Sequence, residues 1–377
     1  MRKKTRNHGK NASFLIIVAA LSILAIYRLL TFHSKENKHT YHSRIAFMIG
    51  ITNSKDAVPL ESLLKTLYHN DNYFFIHLDG KASLPDKMII QNLLSKIKAE
   101  VNNYNENIIL IENPVVVSWG KYSLLLAAFH SMSTALAHSN SWDYWINLSP
   151  ADMPLLSPLE LQEALGVFSK ANQSSFIGGN YPDWKALNLD RRTTYLDDLG
   201  LYLYPDQTIL KDFQKTNNMN KVRTHTPDLF NVFKGEFWVV LHRSLAEYIH
   251  HSRDNVALSL QIYFSSTYIS DELFFQTLVC HPKFPKHFNI INHSMRFIRW
   301  KPMSHGHPAV IDSSLYKEAT SSGEFFARKF DHLKEPRSVS QLIKSFNDAS
   351  KSEGRVKRSI KRASEVGLFN CDTSTVH

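Results

Sequence analysis

Two short stretches carry side chains able to do chemistry. Ser270-Asp271-Glu272-Leu273-Phe274-Phe275 sets adjacent carboxylates ahead of an apolar helical run that ends near Val279. Ser270 or Asp271 is placed to cap that helix, which leaves Glu272 in its first turn, where the helix dipole favours acids whatever their function. The chemical alternative is a general base, a pocketed carboxylate within reach of an acceptor hydroxyl. Gly323–Phe330 (GEFFARKF) frames Arg328 and Lys329 with aromatic rings. Such a pair is either a solvated edge or a clamp for a diphosphate, with Arg giving bidentate contacts and Lys a point charge. His305-Gly306-His307 raises a metal site, but no second cluster completes a zinc spacing, so these read as loop histidines and no metal is expected. No G-x-G-x-x-G follows the first strand and no P-loop occurs. Dinucleotide oxidoreductases and P-loop NTPases therefore lose their phosphate cradle.

These groups need elements to hold them. Arg44–Ile51 reads as a buried strand, followed by a helix over Val58–His69 with Leu60, Leu63, Leu64 and Leu67 on one face. Tyr73–Leu78 is a second strand that ends at Asp79. A helix over Pro85–Lys98, a strand at Asn107–Ile111, a helix over Ser123–Ala137 and a strand at Asp143–Leu148 follow. Ser157-Pro158-Leu159-Glu160 has the Ser cap, early Pro and Glu of a capping box. Strands alternating with crossover helices predict an α/β domain built on a doubly wound, parallel sheet. Such sheets bind ligands at the carboxyl ends of their strands. That points to Ile51-Thr52-Asn53, Asp79, Trp119 and Ser149–Asp152, although Asp79 and Asp152 are equally ordinary turn residues.

The net charge of +10 on 377 residues invites a nucleic-acid reading until it is located. Residues 1–34 hold +6 and residues 351–377 hold +3, so the body between them is near neutral at +1 and a nucleic-acid partner is disfavoured. Phe14–Phe32 is apolar but for Arg28, and its nineteen residues span roughly 28 Å as a helix, about a hydrocarbon core. Arg2, Lys3, Lys4, Arg6 and Lys10 precede it, which orients the N-terminus to the cytosol and the body to the lumen. No small-x-small cleavage site follows cleanly, so an uncleaved signal anchor is favoured over a signal peptide. The expected layout is a cytosolic tail (1–12), anchor (13–32), short stem (33–43), body (44–331) and basic C-terminal tail (332–377). Cys280 and Cys371 are the only cysteines, and paired or unpaired states are both open. Asn172 and Asn292 head sequons that a lumenal body would expose, while Asn147-Leu-Ser closes an apolar strand and reads as buried.

Six segments together resemble glycosyltransferase family 14, the core-2/I-branching N-acetylglucosaminyltransferases and peptide O-xylosyltransferases. They are YHNDNYFFIHLD (68–79), VSWGKYSL (117–124), WDYWINLSPADMPL (142–155), GEFWVVLHRSLAEYI (235–249), SDELFFQT (270–277) and FFARKF (325–330). The resemblance implies a GT-A-like domain that transfers a sugar from a UDP donor with inversion. It matches Ile51, Asp79 and Val117-Ser118-Trp119 to the donor nucleotide site, Glu272 to the catalytic carboxylate, and Arg328 with Lys329 to the diphosphate. Many GT-A enzymes use an Asp-x-Asp metal site; Ser149-Pro150-Ala151-Asp152 offers one Asp, which implies a metal-independent mechanism with no cofactor. Two departures stand out. Trp119-Gly120-Lys121 replaces the usual Trp-Gly-Gly. The xylosyltransferase acid just before the Trp is here Phe237, with Glu236 one place ahead of it and Trp238 behind. Arg299 and His307 fall in a stretch able to close over the donor.

These features lead to a type II enzyme of the Golgi or endoplasmic reticulum that moves xylose or N-acetylglucosamine to a hydroxyl of a protein or glycan. The rival is a catalytically silent, lectin-like binder of the same fold, against which the retained Glu272, Arg328 and Lys329 speak. Past Asp331 the resemblance stops, and the run around Lys357, Arg358, Lys361 and Arg362 is expected to be a solvated tail.

Overall fold

The alternating apolar runs become strands of one central sheet in the computed structural model, which describes residues 41–101, 106–179, 194–195, 221–222, 229–300 and 307–371. The strands are β1 (Ile45–Ile51), β2 (Tyr73–Leu78), β3 (Ile108–Leu110), β4 (Tyr144–Leu148), β5 (Met153–Pro154), β6 (Ser175–Gly179), the ribbon β7 (Thr194–Tyr195) and β8 (Lys221–Val222), β9 (Gly235–His242), β10 (Ile290–Ile291), β11 (Arg296–Ile298) and β12 (Phe326–Arg328). The main sheet has the order β10-β6-β9-β4-β1-β2-β3, and β11-β12-β5 form a small second sheet. Residues from His42 onward form one compact unit. The expected anchor, the cytosolic tail and His305 lie outside the described residues. Among the described residues, no helix is long and apolar enough to cross a membrane.

Helices cover both faces. α1 (Ala57–Leu67), α2 (Leu84–Glu100) and α4 (Pro158–Asn172) pack on the side chains of Ile45, Phe47, Ile49, Phe74 and Ile76. α3 (Tyr122–His138), α5 (Arg243–His251), α6 (Val256–Phe264) and α7 (Phe274–Val279) pack on Ala46, Met48, Phe75 and Trp145. Residues of alternate parity in one strand thus enter opposite cores, which is why β1, β2 and β4 read as unbroken apolar runs. The stripe Leu60, Leu63, Leu64 and Leu67 is fully buried. α4 starts on a complete capping box between Ser157 and Glu160. Asn147 is buried, as its position on the strand implied; its amide bonds Phe237 O and accepts from Val239 N. Of the other sequon residues, Asn172 is exposed, while Asn292 is half-buried and accepts from Gly179 N at 2.9 Å.

The sheet is mixed, which corrects the expectation of a parallel one. β1 pairs in parallel with β2 and β4, but β9 runs antiparallel between β4 and β6. Topology supplies the reason. β6 ends where β9 begins, with Gly179 opposite Gly235, so the chain re-enters the sheet at the edge it left and must run backwards. The amino end of β9 therefore joins the carboxyl ends of β1, β2, β4 and β6 along a single edge.

The C-terminal segment is the second correction: it is folded onto the body and is not a solvated tail. After α8 (Ser313–Ser321) come α9 (Pro336–Ser345) and α10 (Ser352–Glu365). Val339, Leu342, Val356 and Ala363 from these helices enter the core. Arg355 pairs with Glu160 of α4 at 2.6 Å, and Arg362 with Glu324 at 3.3 Å. Residues 367–369 then run beside β10, with Asn292 N to Gly367 O at 3.0 Å and Phe369 N to Ile290 O at 2.9 Å. Cys371 is bonded to Cys280 at the end of α7. The net charge hid this because one narrow stripe faces inward while the rest of α10 is polar. The disulfide closes a separation of 91 residues, so Cys371→Ser or Cys280→Ser is expected to lower the unfolding free energy by about 2–5 kcal/mol in urea denaturation.

Candidate active site

The first group of matched residues sits where β1 and β2 end. Asp79 follows β2 and is buried; its amide donates to Ile51 O at 2.9 Å. Its Oδ1 accepts from Lys81 N at 3.1 Å and from Val117 N at 3.2 Å, while Oδ2 pairs with Lys81 Nζ at 3.1 Å. Asp79 is thus both the turn residue and the clasp that draws the Val117–Trp119 segment against the strand ends. His77, one turn of the pleat back, is driven down to about 4 by burial and accepts from Val115 N at 3.1 Å as a neutral ring. Ser118 N donates to Ser123 Oγ at 3.0 Å, at the start of α3. Trp119 is 75% exposed and packs edge-on against Tyr268. Gly120 has φ +73°, and a Cβ there would lie 2.8 Å from the Tyr268 ring. Gly120 O accepts from Ile269 N at 2.8 Å, which ties this loop to the carboxylate turn.

That turn is not a helix cap. Ser270–Glu272 is a 3₁₀ turn, and α7 begins after Leu273 with no side-chain cap. The left-handed Ile269 (φ 54°) breaks the chain direction there, so Ser270 and Asp271 turn inward and are buried. Glu272 forms an ion pair with Lys234 Nζ at 2.9 Å. Burial first, and the charge of Glu272 second, push Asp271 up to about 7.

Strand alternation explains the facing wall. Lys234, Glu236 and Trp238 are mostly buried but keep some exposure, while Gly235, Phe237 and Val239 are buried. Lys234, just before β9, and Glu236 and Trp238 within it therefore present a cation, a carboxylate and an aromatic ring in sequence. Burial raises the Glu236 carboxyl, opposed by Ser294 and by the charges of Arg296 and Arg328, and its Oε2 has no hydrogen-bond partner among the described residues. Two guanidiniums lie over Trp238, with Arg328 at 4.0 Å and Arg296 at 4.8 Å from the ring centre. Arg296 is buried and donates from Nε to Asp152 Oδ1 at 3.2 Å and from Nη2 to Asn147 O. Burial lowers it to about 10, so it stays protonated. Arg328 Nη1 stands 3.6 Å from Asp152 Oδ2. Neither Nε nor Nη1 of Arg328 has a hydrogen-bond partner among the described residues.

The fold brings Glu272, Glu236, Trp238 and Arg328 to one stretch of the edge, and Ile51, Asp79 and Val117 to the neighbouring stretch. Lys329 is exposed, its backbone held by Ala309 and Ile311. Arg299 is exposed and pairs with Glu318. Lys234 and Arg296 were missed from sequence. The period-2 pattern of β9 would have revealed Lys234, whereas Arg296 lies in a three-residue strand too short to show a period. Among the described residues no group of three or more His, Cys, Asp or Glu gathers as a metal site.

The body is mixed α/β, and its polar groups gather along one strand-end edge, with carboxylates and guanidiniums near the Trp238 ring. The chain belongs to the Core-2/I-Branching enzyme family, whose model matches residues 45–322. It is similar to beta-glucuronosyltransferase GlcAT14C of Arabidopsis thaliana, 26% identical over 294 residues, covering 76% of this chain and 70% of that one. It is also similar to a xylosyltransferase of Ciona intestinalis (25% over 303 residues, 76% of this chain and 32% of that one). Xylosyltransferase 1 of Homo sapiens is 23% identical over 316 residues, covering 79% of this chain and 30% of its own length. The match thus spans about a third of these xylosyltransferases.

A carboxyl raised above its unfolded value stabilises the fold below that unfolded value, here 3.8, and the contribution fades as pH climbs toward 7. Asp271→Asn, uncharged and of equal size, is expected to gain stability relative to wild type between pH 5 and pH 8, by roughly 1–3 kcal/mol. Urea denaturation at both pH values measures it, and a constant difference would show that Asp271 is ionised throughout.

Proposed function

We propose that the chain is an inverting, metal-independent glycosyltransferase that moves a pyranose from a UDP-linked donor to a hydroxyl of a protein or glycan. The observation that carries this is the gathering at one edge of Glu236, Asp271 and Glu272 with Arg296 and Arg328, the two guanidiniums lying over Trp238. Ile51, Asp79 and Val117-Ser118-Trp119 hold the nucleoside end, and Arg328 with Lys329 takes the diphosphate. Glu272 accepts the proton of the acceptor hydroxyl as its oxygen bonds the anomeric carbon. The bond to the diphosphate breaks on the opposite face, and its electron pair leaves with UDP. Positive charge on the sugar then develops over carboxylates while negative charge develops beside fixed cations, and neither group must reorganise.

Metal independence rests on the donor set. Asp152, the one acid of Ser149-Pro150-Ala151-Asp152, already accepts from Ser149 N, Ser149 Oγ and Arg296 Nε. Xylose or N-acetylglucosamine is the donor sugar proposed from the motifs, with glucuronic acid open beside them, and relatives are named for glucuronosyl and xylosyl transfer. The apolar segment at 13–32 is proposed to anchor the protein as a type II enzyme in the Golgi or endoplasmic reticulum, with the body in the lumen.

Glu272→Gln is expected to lower transfer by at least about 100-fold while UDP affinity, measured by calorimetry, stays unchanged. Full turnover by that variant would refute the assignment of the base. Turnover of UDP-xylose, UDP-N-acetylglucosamine or UDP-glucuronic acid should survive EDTA; loss of activity with rescue by manganese would refute the metal-independent route.

A further inference from the structure

Of the charged groups at this edge that no motif assigns, Lys234 is the one in contact with Glu272. It is a cation in direct contact with the carboxylate that the proposed reaction uses as base, with its side chain 11% exposed and that of Glu272 33% exposed. The contact follows from the way the backbone is clamped on both sides of Lys234. On one side, Phe233 N donates to Thr277 Oγ1 at 3.0 Å. On the other, Gln276 Nε2 donates to Glu236 O at 2.8 Å and to Gly178 O at 3.0 Å. Thr277 and Gln276 both belong to α7, the helix that follows the Glu272 turn directly. The segment bearing the cation and the turn bearing the carboxylate are therefore fixed to the same six-residue helix. A lysine at the entry to β9, held between these clamps, is set to meet Glu272.

We infer that Lys234 is a positioning residue for Glu272. The turn supplies no helix cap to orient the carboxylate, and its neighbour Asp271 is buried against it. By holding Oε2, Lys234 sets the rotamer and presents Oε1 to the acceptor hydroxyl. A flexible Glu side chain left to itself would spread over several rotamers and lose the near-attack geometry. This inference rests on the transfer reading above, in which Glu272 is the base.

The test uses the full-length chain and follows UDP release from whichever of the three UDP-sugars turns over. Lys234→Met is expected to lower kcat by roughly 10–100-fold, with calorimetric UDP affinity and thermal midpoint close to wild type. Lys234→Arg, which can still reach the carboxylate, should recover most of the rate. A Lys234→Met enzyme with wild-type kcat overturns the inference alone and leaves the transfer reading intact. Loss of UDP affinity in step with rate overturns it too, because Lys234 would then be a donor-binding group. If wild type binds UDP yet turns over none of the three donors, the transfer reading itself falls, and the role of Lys234 with it.

Discussion

The geometry of the candidate site depends on one buried ion pair, Arg296 with Asp152. Both side chains are sealed from solvent. A buried charge left without its partner is costly, on the order of 3–5 kcal/mol, so the small sheet that carries Arg296 cannot drift from the turn that carries Asp152. Arg296 also bonds Asn147 O at the end of β4 and lies over the rings of Trp238 and Phe326. Four segments, β4, β9, β11 and β12, thereby converge on a single guanidinium. Arg328 ends β12, paired with Ile298 and next to the Ala327–Met153 pair, and takes its place over Trp238 from that sheet. The guanidinium half of the edge is held by this buried pair.

The carboxylate half has a separate anchor. Gly179 and Gly235 face each other across β6 and β9, and Gln276 enters the gap between them. A Cβ on Gly235 would stand 2.2 Å from Gly178 O and 2.4 Å from Gln276 Nε2. Glycine is required here for close approach and not for an unusual φ. Both halves share β9, which carries Gly235, Glu236 and Trp238.

Much of this was legible in the sequence, and the remainder was hidden for identifiable reasons. β1, β2 and β4 were readable because burial on both faces gives continuous apolar runs, and α4 because its capping box is complete. The direction of β9 was not, since strand polarity depends on where the chain re-enters the sheet and GEFWVVLH reads the same either way. Asp271 and Glu272 were visible as an acidic pair, but the cap expected of them fails because Ile269 adopts a left-handed conformation, which no residue type announces. Asp79 and Asp152 were evenly balanced between turn and site; both make turn bonds and both lie on the strand-end edge. The cysteine pair was undecidable by spacing, because only the folded C-terminal segment brings Cys371 beside α7.

That segment has a consequence for how the protein behaves among copies of itself. An open sheet presents unsatisfied amides and carbonyls at its outer strands, a template for another chain. Here one flank ends in β3, only three residues long, and the other is roofed by residues 367–369 lying along β10. The disulfide at Cys371 keeps that roof in place. It thereby denies neighbouring molecules a strand to pair with, a consequence for association between copies that lies beside its contribution to folding energy.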